Sequence, residues 1–547
     1  MDTKVDHTFR ESRSCPPMGH HSHMPRTTLN SCCRTFLAAL LVAAQLLMPP
    51  LARAQLPGMG DGGEMTVSAE RQLGDRIGRE LYRDNAYIDD PVLQEYVGAI
   101  FQKLLVAART RGELSPEMED RFAWRVVLMR DRDINAFALP GGYMGINLGL
   151  IAVVGSRDEL ATVMGHELSH ITQRHIARML DKQSRQTPWM LAGMILGAIA
   201  ASRSGRSGGD LGSAMIMGTQ AYAMNSQLSF SRDMEREADR VGFGVMTQAG
   251  YAPQGAAAMF EKLQYASRLN DNGSYPYLRS HPLTSERIAD MQSRAHFTPG
   301  ADTPLPLVMD HAMISARARV LARGGVDQLR LWVDAAGTSE FEKSAPAQQA
   351  GTLYAAALSA AQLRDSDQAR ALAARLVTRT AGDASASRLA RLLSAEVELS
   401  AGTPARATPW IDIKAKERPE QFEAAQWAVA SRQPPAQQAP IVQGLRDRVA
   451  RDSRDAGAWR LLASLFNAQN EPLRALRAEA EANVAVLDYP AARDRFKAAQ
   501  DLARQMADGK PGLPPLDHYE ASIIDSRERE VEALIRQQLQ DERSLPR

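Results

Sequence analysis

Gly165-His166-Glu167-Leu168-Ser169-His170 lies within a stretch whose apolar residues recur at helical spacing, and its reading organises the rest of the chain. Residues four apart on a helix share a face, so His166 and His170 can offer two imidazole nitrogens to one metal ion while Glu167 stands beside it. That is the chemistry of a zinc peptidase. Ser156 followed by Glu159 predicts a capping box, and Leu160, Val163, Met164, Leu168 and Ile171 supply apolar faces three and four apart. The pattern predicts one helix from about Arg157 to near Gln183.

A catalytic zinc takes three protein ligands and keeps one position open for water. Glu235-Arg236-Glu237-Ala238-Asp239 falls in a second predicted helix, Ser231 to Thr247, where Glu235 and Asp239 share a face and Glu237 points elsewhere. Alone this reads as a solvated acidic face. With the upstream motif, Glu235 becomes the third ligand and Asp239 an acceptor that orients a ligand histidine. The mature chain has no thiol to compete, because Cys15, Cys32 and Cys33 all precede the expected processing site. A metzincin spacing is excluded, since Gln173 and Ile176 stand where Gly and His would be needed. His175 sits about 140° around an ideal helix from His170. It reads as a structural or surface residue.

The chain has 547 residues, enough for two or more domains, and its net charge of +1 with 24% charged residues carries no nucleic-acid signature. Residues 1–54 read as a signal peptide with an N-terminal extension. Arg26 and Arg34 precede the apolar run 36–48, and Ala52-Arg53-Ala54 gives a small-x-small cleavage pattern, so a mature start at Gln55 and an exported protein are expected. Met18 and Met24 are alternative starts, and no lipobox cysteine predicts a lipid anchor.

Helices are predicted from Val67 to Arg109, with Asp90-Pro91 opening the second. A strand over 124–129 and a hairpin around Pro140-Gly141-Gly142 come next. The hairpin's free edge offers an extended substrate main-chain hydrogen bonds. After the motif helix come an apolar run over 189–201, a Ser/Gly-rich stretch over 202–209 and a Met-rich one over 214–224. These fit a lid or plug, a docking loop that touches a partner or lipid at the membrane surface, or an amphipathic pair completing the core.

From about Pro304 the composition shifts to Ala, Leu, Arg and Gln. Small-residue anchors (Ala357, Ala369, Ala373, Ala395, Ala407, then Trp459, Leu462, Ala463, Phe466, Ala475) approach a degenerate 34-residue helix-pair period. Pro434-Pro435 and Pro440 are expected to interrupt this region. The fold class is therefore mainly α with a small β-sheet. A zincin-type peptidase domain over 55–303 is followed by a tetratricopeptide-like array over 304–547 that would bind partners or clients.

His166-Glu167-x-x-His170 with Glu235-x-x-Ala238-Asp239, preceded by Asn135-Ala136-Phe137-Ala138-Leu139-Pro140-Gly141-Gly142, resembles the gluzincin family that includes the CAAX prenyl protease type I. The resemblance covers roughly Val67 to Ala295. It extends by architecture to exported bacterial members that carry a C-terminal helical array and serve envelope-protein quality control. It also singles out His281-Pro282 and Arg287, implying that His281 approaches the zinc and closes the site. The resemblance implies a periplasmic endopeptidase with one zinc ion per chain. Glu167 would take a proton from water and return it to the leaving amine, and His281 or Arg287 would meet the oxyanion. Its partners would be unfolded or misassembled envelope proteins and the outer-membrane assembly machinery. The alternative is a chaperone or assembly factor whose zinc site is mostly shut.

Overall fold

Asp90 opens a helix against which both site-bearing helices pack. Its carboxylate accepts from the Leu93 N–H at 2.9 Å, and Pro91 occupies the first turn, where a missing N–H costs nothing. The computed structural model describes residues 65–182, 230–268, 276–296, 305–322 and 324–543, and Gly63–Arg547 forms one compact unit. The expected signal segment and the apolar, Ser/Gly-rich and Met-rich pieces over 189–224 lie outside the described residues. Among the described residues no helix is long and apolar enough to cross a membrane.

Helices α1 (Val67–Arg83), α2 (Pro91–Thr110) and α3 (Pro116–Arg121) precede three strands, β1 (Arg125–Met129), β2 (Ala136–Leu139) and β3 (Tyr143–Asn147). β3 is central, antiparallel to β2 and parallel to β1. The hairpin is the one expected. Its turn needs glycine: Gly141 has φ 70° and Gly142 φ 86°, and a Cβ on Gly141 would stand 2.8 Å from the Arg71 Cα. Among the described residues β2 is an outer strand, as a free hairpin edge requires.

α4 (Leu148–Val153) leads into α5 (Arg157–Thr172), which carries the histidine motif. Ser156 caps it, accepting from the Glu159 N–H at 3.1 Å. The reciprocal arm of the expected box is absent, because the Glu159 carboxylate accepts instead from the Gly155 N–H at 2.8 Å and pairs with Lys262. The expected continuous helix to Gln183 is corrected as well. α5 stops at Thr172, Arg174 turns the chain at φ 51°, and a new helix, α6 (His175–Lys182), begins. A non-glycine residue in that region is strained by about 1–2 kcal/mol. Arg174 is held there by Glu70, at 2.8 Å from its Nε, and by the Met65 carbonyl. Then come α7 (Arg232–Gln248), α8 (Gln254–Arg268), α9 (Tyr277–Ser280) and α10 (Ser285–His296). α5 is buried along nearly its whole length, with α2, α7, α8 and β2 packed around it.

The remaining helices are α11 (Met309–Leu321), α12 (Val326–Ala335), α13 (Ser339–Lys343), α14 (Pro346–Gln362), α15 (Ser366–Thr380) and α16 (Ala384–Ser400). They continue through α17 (Pro404–Ala407), α18 (Arg418–Ala430), α19 (Pro435–Arg451), α20 (Ala456–Ala468), α21 (Pro472–Ala485), α22 (Tyr489–Ala507) and α23 (His518–Arg543). α11 and α12 both pack on α14, from α13 to α23 each helix packs against the next, and the small anchors read from the sequence are buried, apart from a half-buried Trp459. Pro440 does not break the array, contrary to expectation. It lies inside α19, early enough that the backbone bond it removes belongs to the first turns, and it faces solvent.

α11 ties the array to the motif helix. His311 donates to the Val154 carbonyl at 2.9 Å just before α5, its other nitrogen accepts from the Tyr96 hydroxyl at 2.6 Å, and Ser315 donates to the Ala152 carbonyl. One apolar core runs through Leu104, Leu160, Met313, Tyr354 and Leu393 without interruption.

Candidate metal centre

The centre exists because two helices touch backbone to backbone. A Cβ added to Gly242 on α7 would stand 2.9 Å from the Gly165 carbonyl carbon and the His166 nitrogen, and one on Gly165 would stand 3.1 Å from the Gly242 carbonyl oxygen. Only glycine at this crossing brings Asp239 and Glu235, one and two turns before Gly242, over His166 and His170 on α5. Gly242→Ala gains about 1 kcal/mol of helix propensity but overpacks a backbone contact at about 1–3 kcal/mol. The variant is therefore expected to unfold at lower urea and to bind its metal more weakly. A rise in unfolding midpoint would show that the crossing is slack.

His166 Nε2 and His170 Nε2 lie 3.0 Å apart. His281 Nδ1 is 3.3 Å from His166 Nε2 and 2.9 Å from Glu235 Oε1. Glu235 completes the set with its two oxygens 3.5 Å from His170 Nε2 and His166 Nε2. A tetrahedral ion with nitrogen and oxygen ligands at 2.0–2.1 Å would set edges of about 3.4 Å. The observed separations bracket that value, and all four side chains are buried. Three imidazoles and a carboxylate packed this closely in a dry core are otherwise costly. The donor set thus fits a metal ion.

Each member is held from behind. His166 Nδ1 is 2.9 Å from Asp239 Oδ1. Asp239 in turn takes both prongs of the Arg287 guanidinium, at 2.6 and 2.8 Å, and Arg287 also donates to the Pro282 carbonyl at 2.8 Å, fixing the loop that carries His281. Arg287 Nη1 also lies 2.7 Å from Glu235 Oε2, at an angle that makes no hydrogen bond. The ring of Tyr277 stacks on His281 at 4.5 Å and that of Phe230 on His170 at 3.9 Å. Glu167 is fully buried on the β2 side. Its Oε2 accepts from the Ala138 N–H at 2.8 Å, while Oε1 has no hydrogen-bond partner among the described residues and stands 3.5 Å from His281 Nε2.

Electrostatics follow the geometry. Burial disfavours a charged His166, but hydrogen bonds to Asp239 and Glu235 outweigh it and push its pKa up to about 10. His170 goes the other way: burial and repulsion from His166 and His281 hold it well below the usual histidine value, against its bond to Glu235. Burial raises Glu167, and three histidines around Glu235 drive its carboxyl far below the usual range despite burial.

His166, Glu167, His170, Glu235, Asp239, His281 and Arg287, all singled out from the sequence, thus lie together in one buried cluster. Four further residues shape the site. His175 is not at the surface: it is buried with its Nδ1 2.9 Å from His170 Nδ1. Glu237 points away from the cluster, as expected, yet meets His175 Nε2 at 3.0 Å. Phe230 and Tyr277 wall the centre. An apolar or aromatic residue just before a capped acidic helix is the only local signal for Phe230, and none marks the other three.

Residues 92–295 match the model of peptidase family M48. The chain is 36% identical over 304 residues to the putative beta-barrel assembly-enhancing protease of Vibrio cholerae, covering 53% of this chain and 57% of that one. It is 31% identical over 348 residues to the beta-barrel assembly-enhancing protease of Escherichia coli, covering 61% of this chain and 66% of that one. A 28% identity over 204 residues links it to the mitochondrial metalloendopeptidase OMA1 of Saccharomyces cerevisiae, at 35% of this chain and 53% of the other. The aligned parts therefore span less than two thirds of the bacterial relatives' lengths.

Proposed function

From the match of residues 92–295 to the model of peptidase family M48, we propose that this chain is a zinc-dependent endopeptidase of the bacterial periplasm. It degrades misfolded envelope or outer-membrane proteins, with a peptidase domain over 55–303 and a helical array over 304–547 that holds clients. The observation that carries this is the set of four buried side chains, His166, His170, Glu235 and His281, whose ligand atoms lie within 4.8 Å of one another, beside a buried carboxylate that is not one of them. The activity for which the E. coli relative is named, enhancing β-barrel assembly, supports the same client class and contact with the outer-membrane assembly machinery.

In this reading His166, His170 and Glu235 hold the ion, and Asp239 fixes His166 so that Nε2 is its free nitrogen. A zinc ion there supplies a polarised water and a Lewis acid for the scissile carbonyl. Glu167, aimed by the Ala138 N–H, takes the water's proton and returns it to the leaving amine. The other N–H and C=O groups of the outer strand β2 align an extended substrate beside it. Arg287 is committed to Asp239 and the Pro282 carbonyl, so its part is to hold the His281 loop against the ligand set.

His281 also supports a shut resting state. With an ion bound, its Nδ1 would take a ligand position that water needs, and the slot beside His166 and His281, bounded by Thr162, Val163, Phe260, Tyr277 and Leu283, measures about 10 Å³. That is room for one water at most and for no side chain. This favours the second reading, an assembly factor whose peptidase site opens only when a client displaces the His281 loop.

The test is cleavage of an unfolded reporter protein together with zinc content. Glu235→Ala is expected to lose both. His281→Ala is expected to keep zinc and cleave faster than wild type. A fall in cleavage with zinc retained would assign His281 to the transition state and remove it as a gate.

A further inference from the structure

The two ligand histidines are backed differently. His166 leans on a carboxylate directly; His170 leans on a second imidazole. We propose that His175 is a positioning residue for His170, the middle of a Glu237–His175–His170 relay that fixes the tautomer and orientation of the second metal ligand. The relay rests on the proposed metal site and adds to it.

The geometry allows one proton arrangement. His170 Nε2 faces His166 Nε2 at 3.0 Å and Glu235 Oε1 at 3.5 Å, so as a ligand it carries its lone pair there and its proton on Nδ1. That N–H donates to His175 Nδ1 at 2.9 Å. His175 then holds its own proton on Nε2 and donates it to Glu237 Oε2 at 3.0 Å. Reversing the polarity would turn a bare Nε2 lone pair toward a carboxylate. Glu237 is held in place by Arg178 at 2.9 Å. Ligand histidines nearly always donate their second N–H to a fixed acceptor, and here the acceptor comes from the next helix.

The backbone supports the same conclusion. On an unbroken helix His175 would point about 140° away from His170. The left-handed turn at Arg174 brings it back, and that turn is strained and maintained by Glu70, 104 residues earlier in the chain. Strain held by distant contacts marks a position where the chain's direction matters.

The experiment compares full-length wild type, His175→Ala, His175→Gln, Glu237→Ala and Glu237→Gln for zinc affinity by competition with a chromogenic chelator. Each is also followed through the cobalt-substituted absorption spectrum and the melting temperatures of the zinc-loaded and chelator-stripped protein. Losing the relay is expected to weaken zinc binding about 10- to 100-fold, to alter the cobalt spectrum and to shrink the melting increment that zinc confers. His175→Gln, which can accept and donate at the same two places, should restore much of the affinity. Glu237→Gln should retain more than Glu237→Ala. A purely structural His175 would lower the stripped protein's melting temperature and leave affinity and spectrum alone, which overturns the proposal. If His175→Ala does not fold, Glu237→Ala decides, and wild-type affinity there overturns the relay. Failure of the wild-type chain to bind zinc would be a different result, sinking the metal reading itself.

Discussion

Glu167→Gln is expected to slow cleavage of an unfolded protein by about 10²- to 10⁴-fold while zinc content stays at the wild-type value. Glu167 is fully buried but makes no ligand-distance contact of the kind His166, His170 and Glu235 share, so removing its charge leaves the ion's ligands intact. The amide oxygen of glutamine can still accept from the Ala138 N–H, which keeps the side chain aimed. What disappears is the second oxygen, the unpartnered Oε1, as a base. Desolvation of Glu167 makes it a stronger base than an exposed glutamate and so enlarges the effect. The proposed client holding by the array, read as binding of the same unfolded protein, should survive in this variant. Cleavage within tenfold of wild type would rule out Glu167 as the proton acceptor, and loss of zinc would mean that it supports the ligand set instead.

Much of this centre was legible because its spacings are local. His166 and His170 are four apart on one helix, Glu235 and Asp239 four apart on another, and each helix announces itself by cap and apolar pattern. The hairpin was legible for the same reason, since Pro140-Gly141-Gly142 demands left-handed backbone. What escaped depends on residues far apart in sequence. The end of α5 is dictated at Arg174 by a glutamate on α1, so no window around residue 174 contains the cause. On a continuous helix the 140° offset discards His175. The Gly165–Gly242 contact was equally hidden, because a glycine inside a helical pattern reads as a mild defect until its partner backbone is known. The parallel pairing of β1 with β3 and the tolerance of α19 for Pro440 likewise belong to tertiary context.

Arg317→Met is expected to destabilise the chain by about 3–5 kcal/mol, since it breaks a buried ion pair from one side. Arg317 on α11 is 4% exposed and its guanidinium grips Asp90 in two bonds, at 2.8 and 2.6 Å. It also donates to the Tyr354 hydroxyl at 3.0 Å and to Glu396 at 2.6 Å. Desolvation alone would lower its pKa, but Asp90 and Glu396 raise it well above the usual value, so it is charged at any working pH. The cost falls mainly on Asp90, which would keep only its capping bond to Leu93 and otherwise hold a buried charge alone. Because Asp90 starts α2, on which α5 and α7 pack, the damage reaches the metal centre through the core and not through any ligand. The expected signature is a lower urea midpoint with normal zinc content in the folded fraction. Asp90→Asn added to Arg317→Met should recover part of the loss, because it removes the orphaned charge while leaving an oxygen to cap α2. If the double variant is as unstable as the sum of the singles, the pair is not coupled, and the link between the array and the peptidase helices must reside in the apolar core around Met313 and Leu160 instead.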